Sequence, residues 1–483
     1  MASSEDQTVL GIDSSTQSTK VEARRIDSGE VVGVGRASHP PTQPPRSEQD
    51  PADWWSALKD AVSQLDIDRG EVAAVSVAGQ QHGMVVLDDS AEVVRPAKLW
   101  NDTESAPQAA ELEAALGSQT WARACGSVPV PAFTITKMAW LRANEPEAFA
   151  RISQVMLPHD WLTFRLSGRH VTDRGDASGT GWWSPAVGDY DDSLLDLVSL
   201  DAQCLPEVLG PIESVGSLTS FAAHELGLPE QVIVGPGSGD NMAAALGLGL
   251  RPADVVISLG TSGTIYGVSE VPTSDPTGAV AGFADATGRF LPLVCTLNAT
   301  KVTELVRSLL GVEHVEFDEL ALAEPLGAAG MTLLPYLDGE RTPNRPDATG
   351  VLAGLRSNAT RGQLARAAFE GVVHAMLDGF DALTAAGVKT DGRLLLVGGG
   401  AKSAAYRSIL ADLSGRQVTV PFEDEVVATG AAVQAAAIAA GRPLEWISDA
   451  WGLGRGETVE PSPADSEVLA TLRARYHELR DQF

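Results

Sequence analysis

Two stretches of this chain gather small hydroxyl side chains and glycine at the spacing of a tight turn. One of them, Ser258-Leu259-Gly260-Thr261-Ser262-Gly263-Thr264, follows the apolar residues 255–257 and runs into Ile265-Tyr266-Gly267-Val268. That pattern predicts strand, turn, strand. Free amides in such a turn converge and bind anions, a phosphate chain above all. Gly260 and Thr261 are the candidate contacts there. An echo stands near the start of the chain: Gly11-Ile12-Asp13-Ser14-Ser15-Thr16-Gln17-Ser18-Thr19-Lys20. Thr16, Gln17, Ser18 and Lys20 are its candidate phosphate contacts. Asp13 ends the preceding apolar run. A carboxylate there can reach a metal held on phosphate oxygens, or it can cap its own turn; both readings stand. Two such hairpins suggest two related domains facing one nucleotide.

A second carboxylate, Asp240, follows Gly235-Pro236-Gly237-Ser238-Gly239 and opens an alanine-rich helix. Aspartate is a favoured helix cap, so a structural role is available. Yet four of the six residues from 235 to 240 are Gly or Pro, which lets a ligand approach the backbone. A carboxylate beside a terminal phosphate can take the proton of an attacking hydroxyl. Polar groups also stand just past two predicted strands. Gln81 and His82 follow the apolar run 72–77, and Asn101 and Asp102 follow residues 97–100. The carboxyl end of a sheet is where α/β proteins bind ligands. An amide and a carboxylate together suit vicinal hydroxyls, and Asn241 beside Asp240 adds a second amide. Gly398-Gly399-Gly400-Ala401-Lys402-Ser403 follows the apolar run 394–397. Its glycines would let a flat base or ribose lie on the backbone, though plain strand-to-helix turns use the same residues. Residues 171–180 are polar and aperiodic, either a substrate-facing loop or a surface loop.

The elements that must position these groups follow in order. Strands are predicted over 8–12, 20–26, 31–34 and 72–77. A helix begins at Pro51, with Trp54 and Trp55 on different faces, one in the core and the other shielding it from solvent or lining a pocket. A further helix covers 429–440. At 483 residues, two domains are the default, and they are expected to divide near 247–252, as 1–247 and 248–483. The composition, 44% hydrophobic and 20% charged, is that of an ordinary globular α/β protein. A net charge of −29 repels nucleic acid and anionic membranes and argues against both as partners. It does not exclude ATP, which local amide dipoles can hold. Cys125, Cys204 and Cys295 are too few and too scattered for a disulfide framework. With no leader-like start and no long apolar run, the expectation is a reduced, cytoplasmic setting.

Taken together and in order, residues 11–20, 79–83, 99–102, 239–241, 258–264, 334–343, 350–370 and 398–400 resemble the FGGY family of carbohydrate kinases, within the actin-like ATPase superfamily. The stretch from Gly350 through Gln363-Leu364 to Phe369-Glu370 is similar to one family signature. Residues 133–140, with Lys137, are similar to the other, although Ala132 departs from its usual first residue. The resemblance implies two ribonuclease-H-like domains closing on ATP, Mg2+ and a sugar. Within the family the motifs are similar to members that phosphorylate D-xylulose at the 5-hydroxyl. Other acceptors of the family are ribulose, gluconate and pentitols, and a non-catalytic sugar binder is the remaining alternative. On this likeness Asp240 is the general base and Asp13 orients Mg2+. Thr261 and the amides near Gly260 hold the terminal phosphoryl group. Gly399, Gly400, Ala401 and Ser403 face the nucleoside, while Gln81, His82, Asn101, Asp102, Asp240 and Asn241 face the sugar. Two departures from the pattern stand out. Thr103 and Glu104 stand where an arginine is common, and Gln81 where a methionine is common. A homodimer is frequent among such kinases.

Overall fold

The computed structural model describes residues 7–463 and 465–483. The first six residues, on which the expectation about a leader partly rests, lie outside the described residues. The chain forms two seven-stranded sheets that repeat one plan. In the first, Thr8–Ser14, Ser18–Arg25 and Val31–Ser38 make an antiparallel meander. The strand Val72–Gly79 then lies parallel to Thr8–Ser14 on its other side. Ile233–Val234 and Ser238–Gly239 add to Val72–Gly79, also parallel. In the second sheet Val255–Leu259 and Gly263–Gly267 pair as a hairpin, extended by Phe290–Thr296 and Ala281–Ala284. Leu394–Val397 joins parallel to Val255–Leu259, followed by Val418–Pro421.

Each sheet's central strands are buried on both faces, which is why they read as unbroken apolar runs rather than alternations. Strands of the first sheet all precede residue 247, and strands of the second all follow 254. A long helix of the second half crosses over. The helix Val426–Ala440 is alanine-rich, with one glycine, and it packs on the helix Asp240–Gly247 and on the first sheet. The approach is close enough that side chains are excluded. A Cβ on Gly430 would lie 1.9 Å from the Ala243 carbonyl oxygen, and one on Gly11 2.0 Å from that of Ala428.

Two expectations change here. Trp54 and Trp55 are both buried. Trp54 donates to Gln49 at 2.8 Å, and Trp55 stacks on Phe221. Residues 171–180 are not a loop open to solvent. They form the strand Val171–Asp173 and the short helix Arg174–Ala177, nearly all buried. Five bonds between side chain and backbone replace the missing periodicity, two of them accepted by the Asp173 carboxylate. No helix among the described residues is long and apolar enough to cross a membrane.

Candidate active site

A cavity of about 660 Å³ opens between the two sheets, lined by Lys20, Asp240, Asn241, Ser258, Thr264, Gly399, Lys402 and Glu425, among others. A second, of about 570 Å³, continues from it past Gly399 and Lys402 to Thr261, Thr300, Asp318, Gly400 and Ser403. The cavities therefore meet at the glycine turn after Leu394–Val397.

The two hairpins border this space in different ways. In the first, Asp13 pairs in register with Lys20 and with Ala78. Burial pushes the Asp13 carboxyl up to about 7; Lys20 opposes the rise, and Asp240 and Glu425 add to it. No side-chain hydrogen bond reaches Asp13 among the described residues. That leaves its oxygens for a cation, and the capping alternative lapses. Lys20 itself is paired with Glu425 at 2.5 Å. The Thr16 hydroxyl is committed, donating to Gln80 at 3.1 Å and accepting from the Trp100 indole at 2.9 Å. The Ser18 amide bonds the Ser15 hydroxyl. What Thr16 still offers a phosphate is its backbone amide, and the exposed Gln17 offers its side-chain amide as well.

In the central hairpin the Gly260 amide closes the turn on the Ser262 carbonyl at 3.0 Å. Gly260 thus supplies room, and the amides left free are those of Thr261 and Ser262. Beside it, Gly398 has φ +86°, and a Cβ there would lie 2.7 Å from the Leu259 carbonyl oxygen, so only glycine fits. Gly399 has open space above it. Ala401 lines the larger cavity. Ser403 borders the smaller one, but its hydroxyl caps the helix Ala404–Ser414 and donates to Asp318 at 2.8 Å.

Asp240 is the first residue of the helix Asp240–Gly247; the cap is Gly239. The carboxylate is therefore not spent as a cap. One oxygen, Oδ1, accepts from the Asn241 amide at 2.8 Å and from Asn241 Nδ2 at 2.9 Å, which leaves Oδ2 free. Burial raises its pKa to about 6 against those two bonds. A base with a pKa near working pH is suited to proton transfer. Asn241 Nδ2 also donates to Gln81 Oε1 at 2.8 Å, and Gln81 Nε2 is buried with no partner among the described residues.

His82 takes φ +66° at the end of its strand. Its Nδ1 lies 2.8 Å from the Gly179 carbonyl oxygen, which can only accept. Burial and the Lys137 ammonium push the ring's pKa down to about 3. The imidazole is thus neutral, with Nδ1 protonated and a lone pair on Nε2 that can receive a hydroxyl. Asn101 keeps a buried Oδ1 without a partner among the described residues. Asp102 departs from the expectation. It is fully buried, and its oxygens accept from Ser47, Lys98 and the Glu104 amide. It anchors the turn that carries Asn101 and offers the cleft nothing. Glu104 reaches the same Lys98 at 2.7 Å.

The chemistry of this cleft is a free carboxylate among amides, facing an amide-rich turn across a space large enough for a nucleotide. Comparison with known proteins decides the family. The N-terminal domain model of the FGGY family of carbohydrate kinases matches residues 8–247, and the C-terminal domain model matches residues 255–439. The chain belongs to this family. It is 47% identical over 473 residues to a xylulose kinase of Streptomyces rubiginosus, covering 98% of this chain and 96% of that one. The crystal structure of xylulose kinase from Bifidobacterium adolescentis superposes with a TM-score of 0.87 at 40% identity, covering 98% and 99%. Xylulose kinase from Rhodospirillum rubrum gives 0.92 at 30% identity, covering 99% of each chain. As an FGGY kinase the chain has the two-domain actin-like architecture expected of it, and it is an enzyme.

Several residues of the site carried no signal that reading along the chain could use. Glu425 meets Lys20 from 405 positions away. Tyr266, Lys402 and Arg407 line the cavity from the second half. Only their shared proximity to the glycine turn and the central hairpin could have suggested them.

Proposed function

We propose that this kinase transfers the terminal phosphoryl group of ATP to the 5-hydroxyl of D-xylulose, giving D-xylulose 5-phosphate and ADP. The observation that carries the reading is Asp240. It is half-buried, its Oδ2 has no hydrogen bond among the described residues, and it lines the same cavity as Asn241, Ser258, Thr264 and Gly399.

In this scheme Gln81 Nε2, His82 Nε2, Asn101 and Asn241 orient the ketose. Asp240 Oδ2 accepts the proton of the attacking hydroxyl as the oxygen–phosphorus bond forms, and ADP departs. Thr261, with its own amide and that of Ser262, steadies the transferring group. Lys20 lines the opposite wall, and Thr16, Gln17 and Ser18 stand in the turn that leads to it. Gly399, Gly400, Ala401 and Ser403 bound the space for the nucleoside. Asp13, buried and without a hydrogen bond, is suited to hold Mg2+, directly or through water; the ion would neutralise charge spreading over the phosphate oxygens. Closure of residues 1–247 on 248–483 about the helix contact at Asp240–Gly247 would exclude water and limit ATP hydrolysis.

The test is ADP release with D-xylulose, ribulose, gluconate, xylitol and no sugar. The expected result is a kcat/KM for D-xylulose at least about tenfold above every other acceptor, with little ADP formed when sugar is omitted. Equal turnover with and without sugar would remove the kinase reading, and a different preferred acceptor would remove xylulose.

A further inference from the structure

Directly behind this site lies a buried ionic cluster that the scheme above does not use. His159, in the helix Pro158–Ser167, is completely buried. Its Nε2 is 3.2 Å from Asp160 Oδ1, 3.3 Å from Asp173 Oδ1 and 3.3 Å from Asp176 Oδ2. Asp173 and Asp176 belong to the strand Val171–Asp173 and the short helix Arg174–Ala177. Burial alone would push the His159 pKa down, but the three carboxylates outweigh it and raise it to about 9. That direction makes the imidazole the cation of the cluster, while burial pushes the Asp160 carboxyl up to about 6 and that of Asp176 well above the usual carboxylate range. Asp176 has no hydrogen-bond partner for either oxygen among the described residues, so the ion pair is what holds it.

The same ring presses on both loops of the site. A Cβ on Gly79, two residues before Gln81, would lie 3.0 Å from His159 Cβ. One on Gly237, three residues before Asp240, would lie 2.6 Å from His159 Nδ1. From Asp176 the chain of contacts is short. The Asp173 carboxylate accepts from the amides of Gly175 and Asp176, at 2.7 and 3.0 Å. The Gly179 amide donates to the Asp176 carbonyl at 2.9 Å. The Gly179 carbonyl then accepts from His82 Nδ1 at 2.8 Å.

We propose that His159 is a positioning residue for sugar binding. It clamps residues 173–179 so that the Gly179 carbonyl holds His82 with Nδ1 protonated and Nε2 aimed at a sugar hydroxyl. The role follows from charge. A neutral side chain would leave buried carboxylates uncompensated, and the segment carrying Gly179 would move to solvate them. His82 would then lose the partner that fixes its tautomer. The nucleotide-facing turns at 260–262 and 399–403, which belong to the second sheet, would be spared. This inference rests on the kinase reading above but not on which acceptor is preferred.

The experiment compares His159→Gln, His159→Lys, Asp176→Asn, His82→Ala and the double variant His159→Gln/His82→Ala, each checked for folding by circular dichroism. KM for D-xylulose, KM for ATP and kcat are measured. His159→Gln is expected to raise the sugar KM about tenfold, with KM for ATP changed less than about twofold. His159→Lys, which keeps a cation on a flexible stem, should recover most of that loss. The double variant should be no worse than His82→Ala alone, because one acts through the other. Additive losses in the double variant would overturn the proposal, as would an unchanged sugar KM in folded His159→Gln. Where His159→Gln does not fold, Asp176→Asn decides: a selective rise in sugar KM supports the clamp, and equal effects on both substrates refute it. If the wild type turns over another sugar of the panel instead, the same cycle is run with that sugar, so the two readings fail separately.

Discussion

The two hairpins that face each other across the cleft share a plan and differ in what they expose. In the first, strand Thr8–Ser14 ends on a buried carboxylate, Asp13, set opposite a lysine. In the second, strand Val255–Leu259 carries Ser258 near its end, set opposite Thr264, and closes in a turn of Gly260, Thr261 and Ser262. Asp13 and Asp240 stand on the first half, while the second brings the free amides of Thr261 and Ser262 together with the acids Glu423, Asp424 and Glu425. The difference teaches that duplication of a fold need not duplicate its chemistry. In the proposed scheme the first half would hold the cation and take the proton of the alcohol, and the second would receive the anionic oxygens. Phosphoryl transfer needs both across one gap.

The comparison breaks most sharply at Asp240. Asp240→Asn keeps the shape and the Asn241 contact but removes the base. A loss of about 10²–10⁴ in kcat is expected, with KM for ATP little changed. Steady-state ADP release with an unchanged circular dichroism spectrum is the check. Turnover within threefold of wild type would mean that the acid side does not do the chemistry.

Asp13 comes next. Asp13→Asn should lower kcat about 10- to 100-fold and raise the Mg2+ concentration for half-maximal rate, read from a Mg2+ titration. Its pKa of about 7 and that of Asp240, about 6, give the acid limb of the rate profile. Both carboxylates must be ionised to act, so kcat/KM should fall as pH drops from about 7 to 6. Stability runs the other way. The folded protein holds the Asp13 proton more tightly than the unfolded chain does. This group therefore destabilises the fold progressively as pH rises from about 4 to about 7. Asp13→Asn should raise Tm by a few degrees at pH 7.5 and by less at pH 5, which thermal melts at both pH values would show.

What was legible along the chain was local. Both hairpins, the strand ahead of Gln81 and His82, and the glycine turn at 398–400 are short runs whose residue types dictate their backbone, so they could be read directly. The contents of a buried environment were not legible in that way. Asp102 looks like a binding carboxylate until Lys98, four residues earlier, is seen to take it. Residues 171–180 look like a loop because their bonds are side chain to backbone and have no period. Asp240 resembles a cap because capping and catalysis favour the same residue at nearly the same place. The crossing of Val426–Ala440 onto the other half's sheet is invisible in a helix whose alanines are buried all round.

A smaller effect belongs to the amide side. Thr261→Ala leaves the backbone donors in place and removes one hydroxyl, so KM for ATP should rise about three- to tenfold, with the sugar KM constant. A change in sugar KM of equal size would blur the division between the halves.

The smallest change sharpens the division from the sugar side. Gln81 stands where the family commonly has methionine, and the structure gives that glutamine two tasks. Its Oε1 accepts from Asn241 Nδ2, tying the first sheet's edge to the residue beside the base. Its Nε2 has no partner within the described protein, so it is a donor held ready for a hydroxyl. Gln81→Met is close in volume and removes both. One lost hydrogen bond of about 1 kcal/mol corresponds to roughly a fivefold rise in KM for D-xylulose, with kcat and KM for ATP held within about twofold. The decisive measurement is the ratio of the two KM values in this variant and in Thr261→Ala. Opposite shifts in that ratio assign the sugar to the first half and the phosphates to the second, and parallel shifts would merge them into one undivided site.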